Sequence, residues 1–210
     1  MNDKNSKSPS GDLGVGIVNY GAGNIFSLTA ALDRLNVTYG MVNTENDLEK
    51  YSHIIIPGVG HAGAAMKKLK GTGLVEAIKK LTKPVLGICV GMQLITEHSE
   101  EGDAALLNIV PVKTKKFDKS LNIKIPHMGW NAVSPKNNSL FEGVEDNTQF
   151  YFVHSYFIEY NPTFDIASAD YGLKFSAAVQ KDNFYGVQFH PEKSGKAGEL
   201  VLKNFSNLSL

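Results

Sequence analysis

Residues 83–98 read KPVLGICVGMQLITEH. An apolar run (Val85, Leu86, Ile88) gives way here to Met92, Leu94 and Ile95, which recur at helical spacing. Cys89, the only cysteine of the chain, lies at this strand-to-helix corner between Gly87 and Gly91. In an open α/β sheet, reactive groups collect at the carboxyl ends of strands, where loops meet helix N-termini. A small–x–nucleophile–x–small turn lets the nucleophile take up strained backbone without striking the helix behind it, as in Gly-x-Ser-x-Gly elbows. The helix N-terminus brings unpaired N–H groups and partial positive charge, which favour thiolate over thiol. The Val90 N–H would point at an oxyanion formed by attack from Cys89. A lone cysteine is equally consistent with a small buried hydrophobe, so a base is needed to separate the two readings.

On the N-terminal side, LGVGIV (residues 13–18) reads as a short buried strand followed by the turn NYGAGN. Ile25, Leu28, Leu32 and Leu35 then mark an amphipathic helix. SHIIIPGVG (residues 52–60) is a second apolar run, stopped by Pro57 and two glycines. Helical segments follow around residues 64–69 and 74–81, PVLGIC is a third strand, and residues 90–97 are the next helix. This alternation predicts a parallel sheet covered on both faces. From Leu106 the texture changes: NIVPVKTKKF, IKIPHMGWNAV, TQFYFVHSYFIEY, FDIASA and FSAAVQKDNFYGVQFH read as shorter strands joined by turns. Residues 197–208 read as a closing helix. The expected fold is α/β: a three-layer open, mainly parallel sheet with helices on both faces and smaller antiparallel strands. Residues 1–12 (MNDKNSKSPSGD) are expected to be a disordered leader and residues 13–210 one domain, with no internal repeat.

The chain has 210 residues with 21 Lys+Arg and 21 Asp+Glu, so its formal net charge is zero. That balance favours neither nucleic acid nor an anionic membrane as a partner. One cysteine makes no internal disulfide, the N-terminus carries no apolar signal region, and no apolar run approaches a spanning helix. A cytoplasmic protein is expected. There is no P-loop, dinucleotide fingerprint or metal-ligand cluster, and GAGN (residues 21–24) lacks the spacing of a phosphate loop, so no cofactor and no metal are expected.

YGVQFHPEKSG (residues 185–195) supplies the missing base. Val187 and Phe189 alternate with Gly186 and Gln188 as on a strand, and His190 falls at its end. Pro191 stops the ladder and is expected to keep the chain extended, which would place Glu192 on the same side as His190. A carboxylate on one imidazole nitrogen fixes the tautomer and holds the other towards a nucleophile. Cys89, His190 and Glu192 together make a nucleophile–base–orienter set.

PGVG, GICVGMQ and GVQFHPEKS, in this order and at these separations, resemble the triad class of glutamine amidotransferases. The likeness runs from Leu13 to the C-terminus and implies that family's flavodoxin-like fold. NYGAGNIFS, PHMGWN (residues 126–131), YFVHSY (residues 151–156) and the Lys-Ser after the glutamate resemble, more narrowly, the glutaminase subunit of imidazole glycerol phosphate synthase.

The resemblance implies hydrolysis of L-glutamine: attack by Cys89, proton transfer by His190, orientation by Glu192, and an oxyanion held by backbone N–H groups of Val90 and of the Gly58–Val59–Gly60 loop. It implies that Gln93 and the His154–Ser155–Tyr156 segment recognise the amino-acid end of glutamine. Taken from the residues alone, Gln93 reads as an exposed helix residue and His154 as a satisfied core histidine rather than as binding groups. Ammonia released into neutral water is mostly protonated, so the resemblance also implies a partner: a cyclase subunit built as a (βα)8 barrel, in a heterodimer. It places Asn24, Ser27, Met128, Trp130 and Lys193 at the interface. By residue type alone, Trp130 is equally a core residue and Lys193 a solvated charge.

Two departures stand out. Val90 occupies a position where relatives often carry Leu, and EEGDAALLNIVPVK lacks the Gly-Leu-Gly common after the acidic run. The second keeps open a related glutaminase serving another acceptor enzyme, such as one of surface-glycan synthesis. A catalytically silent regulatory module and a cysteine peptidase are further alternatives; the intact triad argues against the first and the whole-length resemblance against the second.

Overall fold

The computed structural model describes residues 14–209, so the leader expected over residues 1–12 lies outside the described residues. The first half alternates β1 (Val15–Val18), α1 (Ile25–Arg34), β2 (Tyr39–Val42), the single turn α2 (Glu45–Leu48), β3 (His53–Ile56), α3 (Ala62–Gly71), α4 (Val75–Lys79), β4 (Val85–Ile88) and α5 (Val90–Leu94). Every residue of β1, β3 and β4 is buried. Continuous burial is what strands covered on both faces require, and it is why they read as unbroken apolar runs. Helix α1 turns Leu28, Ala31 and Leu32 inward, and its N-cap Asn24 accepts a hydrogen bond from the Ser27 N–H at 3.3 Å.

The second half comprises β5 (Thr96–Ser99), β6 (Ala104–Ala105), β7 (Val110–Lys116), β8 (His127–Pro135), β9 (Thr148–His154), β10 (Tyr156–Glu159), β11 (Asp165–Asp170), β12 (Lys174–Lys181), β13 (Phe184–Val187) and α6 (Gly195–Ser206). In β7 and β9 buried and less buried residues alternate, as expected of strands with one face inward. The strand order is β2-β1-β3-β4-β13-β12-β10-β7-β5-β6, with β11 branching from β12 to β8 and β8 pairing β9. Pairing is parallel from β2 to β13, and the sheet then continues antiparallel through β12, β10 and β7. The sheet is therefore open and mixed.

The structure departs from the sequence pattern at three places. The helix expected over residues 90–97 stops at Leu94, and Thr96–Ser99 is a strand parallel to β7. The Ile95 carbonyl accepts from the N–H groups of Ile109 and Val110 at 3.0 and 2.9 Å, and the Thr96 hydroxyl donates to the Gln93 carbonyl at 2.7 Å. A distant strand thus takes over the carbonyl that a longer helix would have used. Second, Tyr39–Val42 forms an edge strand that its weak alternation does not announce. Third, β13 ends at Val187, and Pro191–Lys193 is a 3-10 turn rather than extended chain.

The topology brings the two motifs together. β4 and β13 are adjacent and parallel with Ile88 opposite Val187, and the Cys89 N–H donates to the Val187 carbonyl at 2.8 Å. The elbow and the His-Pro-Glu segment therefore leave the sheet at the same edge, side by side. β3 flanks β4 on the other side, with Ile56 opposite Gly87, so the PGVG loop leaves there too.

Candidate active site

Cys89 has φ +54° and ψ −108°, in the left-handed half of backbone space that a non-glycine residue enters at a cost of order 1–3 kcal/mol. Its neighbours explain how the turn is tolerated. A Cβ on Gly91 would lie 1.8 Å from the Ile56 carbonyl oxygen, and one on Gly87 would lie 2.4 Å from the Gly91 oxygen. Only glycine lets the elbow, the helix behind it and the end of β3 approach this closely. Val90 is the first residue of α5; the first intrahelical bond is made by the Gln93 N–H to the Cys89 carbonyl at 3.1 Å. The Val90 N–H thus belongs to the helix-terminal donors that have no partner within the helix.

His190 and Glu192 are both buried, with Nδ1 of the ring 2.8 Å from Oε1 of the carboxylate. The carboxylate can only accept, so Nδ1 carries a hydrogen, and Nε2 is the ring nitrogen left for Cys89. Among the described residues Nε2 is buried with no partner meeting hydrogen-bond geometry. The contact expected of an extended chain is made instead by the 3-10 turn. Burial is the largest single influence on His190 and opposes its charge; the nearness of Cys89, together with the hydrogen bond and charge of Glu192, outweighs it and pushes the imidazole up to about 10. The ring therefore holds its proton at neutral pH while it has Cys89 and Glu192 beside it.

Both Cys89 and His190 line a cavity of about 320 Å³, together with Val59, Gly60, Val90, Gln93, His154, Ser155 and Tyr156. Of the expected site residues, Gly58 and Glu192 lie outside this lining. Both instead border a small cleft that Asn24, Val59 and His190 also line. Gln93 is 2% exposed rather than an exposed helix residue. Its Nε2 donates to the Tyr156 carbonyl (3.3 Å) and to Gln188 Oε1 (3.2 Å), and among the described residues its Oε1 is buried without a partner. Gly60 has φ +86°, a conformation that leaves the loop's peptide planes at a position glycine alone tolerates easily.

Several contributors were missed in the sequence. Glu101 lines the cavity and accepts from the Ala62 N–H, at the start of α3, at 2.6 Å. Gln188 continues from Gln93 to the thiol, with its Nε2 3.7 Å from Sγ. The Ser194 hydroxyl donates to the His190 carbonyl at 2.7 Å and accepts from the Tyr151 N–H at 2.9 Å, pinning the histidine's backbone to β9. The Tyr20 hydroxyl donates to the Pro57 carbonyl at 2.5 Å and anchors the start of the PGVG loop. Burial, and then the charge of Cys89, raise the Tyr20 phenol and keep it a donor. Gln188, Ser194 and Tyr20 fall inside the quoted motifs, which was the available signal; Glu101 falls in the atypical acidic run and had none.

Of the expected interface residues, Met128, Trp130 and Lys193 are exposed, and Asn24 and Ser27 are partly buried. Met128 and Trp130 project from the same side of β8 and are each 57% exposed, and Phe26 beside Asn24 and Ser27 is 83% exposed. The Lys193 ammonium lies 5.9 Å from the Tyr151 ring, which meets Trp130 edge-on at 6.1 Å. Trp130 is therefore not a core residue. Among the described residues no helix is long and apolar enough to cross a membrane.

The model of the glutamine amidotransferase class-I family matches residues 16–207. Over 197 residues the chain is 50% identical to imidazole glycerol phosphate synthase subunit HisH of Bacteroides thetaiotaomicron, covering 92% of this chain and 99% of that relative. The protein of the same name from Haemophilus influenzae is 47% identical, covering 92% and 96%. That from Salmonella typhimurium is 46% identical, covering 92% and 98%. Among solved structures, a putative GMP synthase component of Thermoplasma acidophilum superposes with a TM-score of 0.72 at 22% identity, covering 94% of each chain. PurLQS of Thermotoga maritima superposes at 0.68 with 17% identity, covering 92% and 97%.

Proposed function

Because this chain belongs to the class-I glutamine amidotransferase family, we propose that Cys89, His190 and Glu192 are its catalytic triad, working within the glutaminase subunit of imidazole glycerol phosphate synthase. The protein hydrolyses glutamine to glutamate and ammonia and hands the ammonia to a cyclase subunit for formation of imidazole glycerol phosphate and AICAR in histidine biosynthesis. The identity of 46–50% to proteins of that name, over 92% of the chain, supports the assignment. The observation that carries the chemistry is the strained Cys89 elbow and the His190 ring lining one cavity, with the buried Glu192 carboxylate on the ring's Nδ1.

Cys89 Sγ, whose proton the His190 ring holds, attacks the side-chain amide carbon of glutamine. The oxyanion is received by the N–H of Val90 and by that of Val59 or Gly60 in the loop beginning at Gly58. His190, holding its proton in the resting site, gives it from Nε2 to the leaving nitrogen, and ammonia departs from a γ-glutamyl thioester. The now neutral imidazole takes a proton from water as that water opens the thioester; the Cys89 thiolate leaves beside the protonated ring, and the product acid loses its proton to solvent as glutamate. Glu192 keeps Nδ1 protonated throughout and Ser194 holds the histidine backbone.

At the amino-acid end, Glu101 offers its carboxylate to the substrate ammonium, and the unpartnered Gln93 Oε1 offers a second acceptor. The backbone of the His154–Ser155–Tyr156 corner receives the substrate carboxylate. Asn24, Ser27, Met128, Trp130 and Lys193 form the docking rim for the cyclase, a (βα)8 barrel in a cytoplasmic heterodimer; exposed aromatic and Met side chains are the usual anchors of such faces. Residues 13–210 act as one amidotransferase domain.

The test is glutamate release by the isolated chain and by its complex with a cyclase subunit, the cyclase's nucleotide ligand being supplied. The complex is expected to hydrolyse glutamine and the free chain to be nearly silent, since its glycine-rich oxyanion loop borders the docking rim. A complex that releases no glutamate would overturn the assignment.

A further inference from the structure

We infer that His127 and His154 form a directional hydrogen-bonded pair that positions the Ser155–Tyr156 corner of the glutamine pocket. The inference deepens the glutaminase reading and rests on it. The two histidines face each other across β8 and β9 as register partners, with His127 Nδ1 2.9 Å from His154 Nε2. Both are buried, 3% and 5% exposed. His154 Nδ1 lies 2.7 Å from the Tyr156 carbonyl oxygen.

A carbonyl only accepts, so His154 Nδ1 carries a hydrogen. Burial, the largest influence on each ring, pushes His127 down to about 4 and His154 down to about 3, where the charge of His190 also disfavours a second positive ring. Both rings are thus neutral at pH 7, and a neutral imidazole has one N–H. His154 Nε2 is therefore a lone pair, and His127 Nδ1 must be the donor to it. The direction of the whole chain, from His127 through His154 to the Tyr156 carbonyl, follows from that single acceptor.

The His127 ring is also held in plane by stacking. His127 is stacked between Tyr171 (3.9 Å between centroids, 20° between planes) and Phe152 (4.8 Å, 22°). At the pocket, the Tyr156 carbonyl takes a second bond from Gln93, and the Ser155 carbonyl accepts from the Phe117 N–H at 3.2 Å. Both carbonyls of the corner are tied back into the fold. Because a trans peptide sets N–H opposite to C=O, tying the Ser155 carbonyl to Phe117 also fixes the direction of the Tyr156 N–H.

His127 itself does not line the cavity, so it acts only through His154. Without its donor, His154 is free to move its hydrogen to Nε2. It would then present a lone pair to the Tyr156 carbonyl, and the corner would lose one of its ties.

Nitrogen-15 NMR of the full chain at pH 7 reads the tautomers directly; both rings should be in the Nδ1–H form. His127→Phe keeps the stacking and removes the donor. With the cyclase subunit present, it should raise KM for glutamine about tenfold, the equivalent of one hydrogen bond, with kcat little changed. His127→Asn, whose amide nitrogen stands near the place of Nδ1, should restore both the tautomer and KM; a merely structural role would predict no such rescue. An Nε2–H tautomer of His154 in the unmodified chain, or an unchanged KM in His127→Phe, would overturn the inference. Should His127→Phe not fold, His127→Leu replaces it, and the tautomer of the unmodified chain still decides. If the unmodified complex releases no glutamate, the glutaminase reading falls while the tautomers remain readable.

Discussion

Gly91→Ala isolates the steric requirement of the elbow. Gly91 lies in α5 with φ outside the left-handed region, so alanine meets no conformational obstacle and would gain about 1 kcal/mol of helix propensity. Its Cβ, however, would stand 1.8 Å from the Ile56 oxygen and 2.8 Å from the Ile56 carbonyl carbon. Both are backbone atoms at the end of β3 and cannot rotate aside. Restoring ordinary contact needs the elbow and the PGVG strand end to part by about 1.5 Å. Overpacking of this kind costs about 1–3 kcal/mol or more, so a small net loss of stability is expected. The functional loss should be much larger. A 1 Å misplacement at a reacting centre costs on the order of 10²-fold, and here the proposed nucleophile and one proposed oxyanion donor would be displaced from each other. With the cyclase subunit, kcat/KM for glutamine should fall on the order of 10²- to 10³-fold while ammonia-dependent turnover persists. Gly71→Ala is the control: it ends α3 with nothing within 4 Å of the added carbon, and should be neutral or slightly stabilising. A Gly91→Ala complex that keeps glutamine turnover within about threefold would show that the close approach to Ile56 does not hold the elbow in place.

Other expectations follow from the same geometry. Cys89→Ala should abolish glutamine-dependent turnover, by at least about 10³-fold, and leave ammonia-dependent turnover of the complex intact; loss of both in a folded complex would contradict the division of labour. Glu101→Gln keeps the side-chain shape and an acceptor for the Ala62 N–H but removes the charge facing the pocket. It should raise KM for glutamine about 10- to 100-fold with little change in kcat, and an unchanged KM would remove Glu101 from substrate binding. Stability measured by urea titration should peak near pH 6.5. His127 and His154 are depressed to about 4 and about 3, so their contribution is complete above the unfolded value of 6.5 and is lost as pH falls through the folded values. His190 is raised to about 10, so its contribution is complete below 6.5 and is lost as pH rises towards 10. A profile flat from about pH 5 to 9 would exclude both arms.

Features whose physics is local could be read from the amino acids in order. Cys89 between two glycines announces a strained elbow because the requirement for small neighbours lies within two residues of the nucleophile. The buried strands Val85–Ile88 and His53–Ile56 announce themselves because coverage on both faces leaves no room for polar alternation. Even the His190–Glu192 pair was legible, although a 3-10 turn and not an extended chain makes the contact.

Contacts between residues far apart in the chain had to wait for the folded molecule. The pairing of Ile88 with Val187 brings the elbow and the histidine together across 99 positions, and nothing local in either segment encodes that register. Capture of the Ile95 carbonyl by Ile109 and Val110 overrode the helical pattern of residues 90–97. Glu101 became part of the pocket only because its carboxylate reaches the N-terminus of α3, 39 positions away. His154 turned out to be both of the things its sequence context suggested, a buried, partnered histidine and a wall of the cavity, since β8 supplies its partner from 27 positions earlier. Local spacing specifies which groups are present; the sheet order specifies which of them meet.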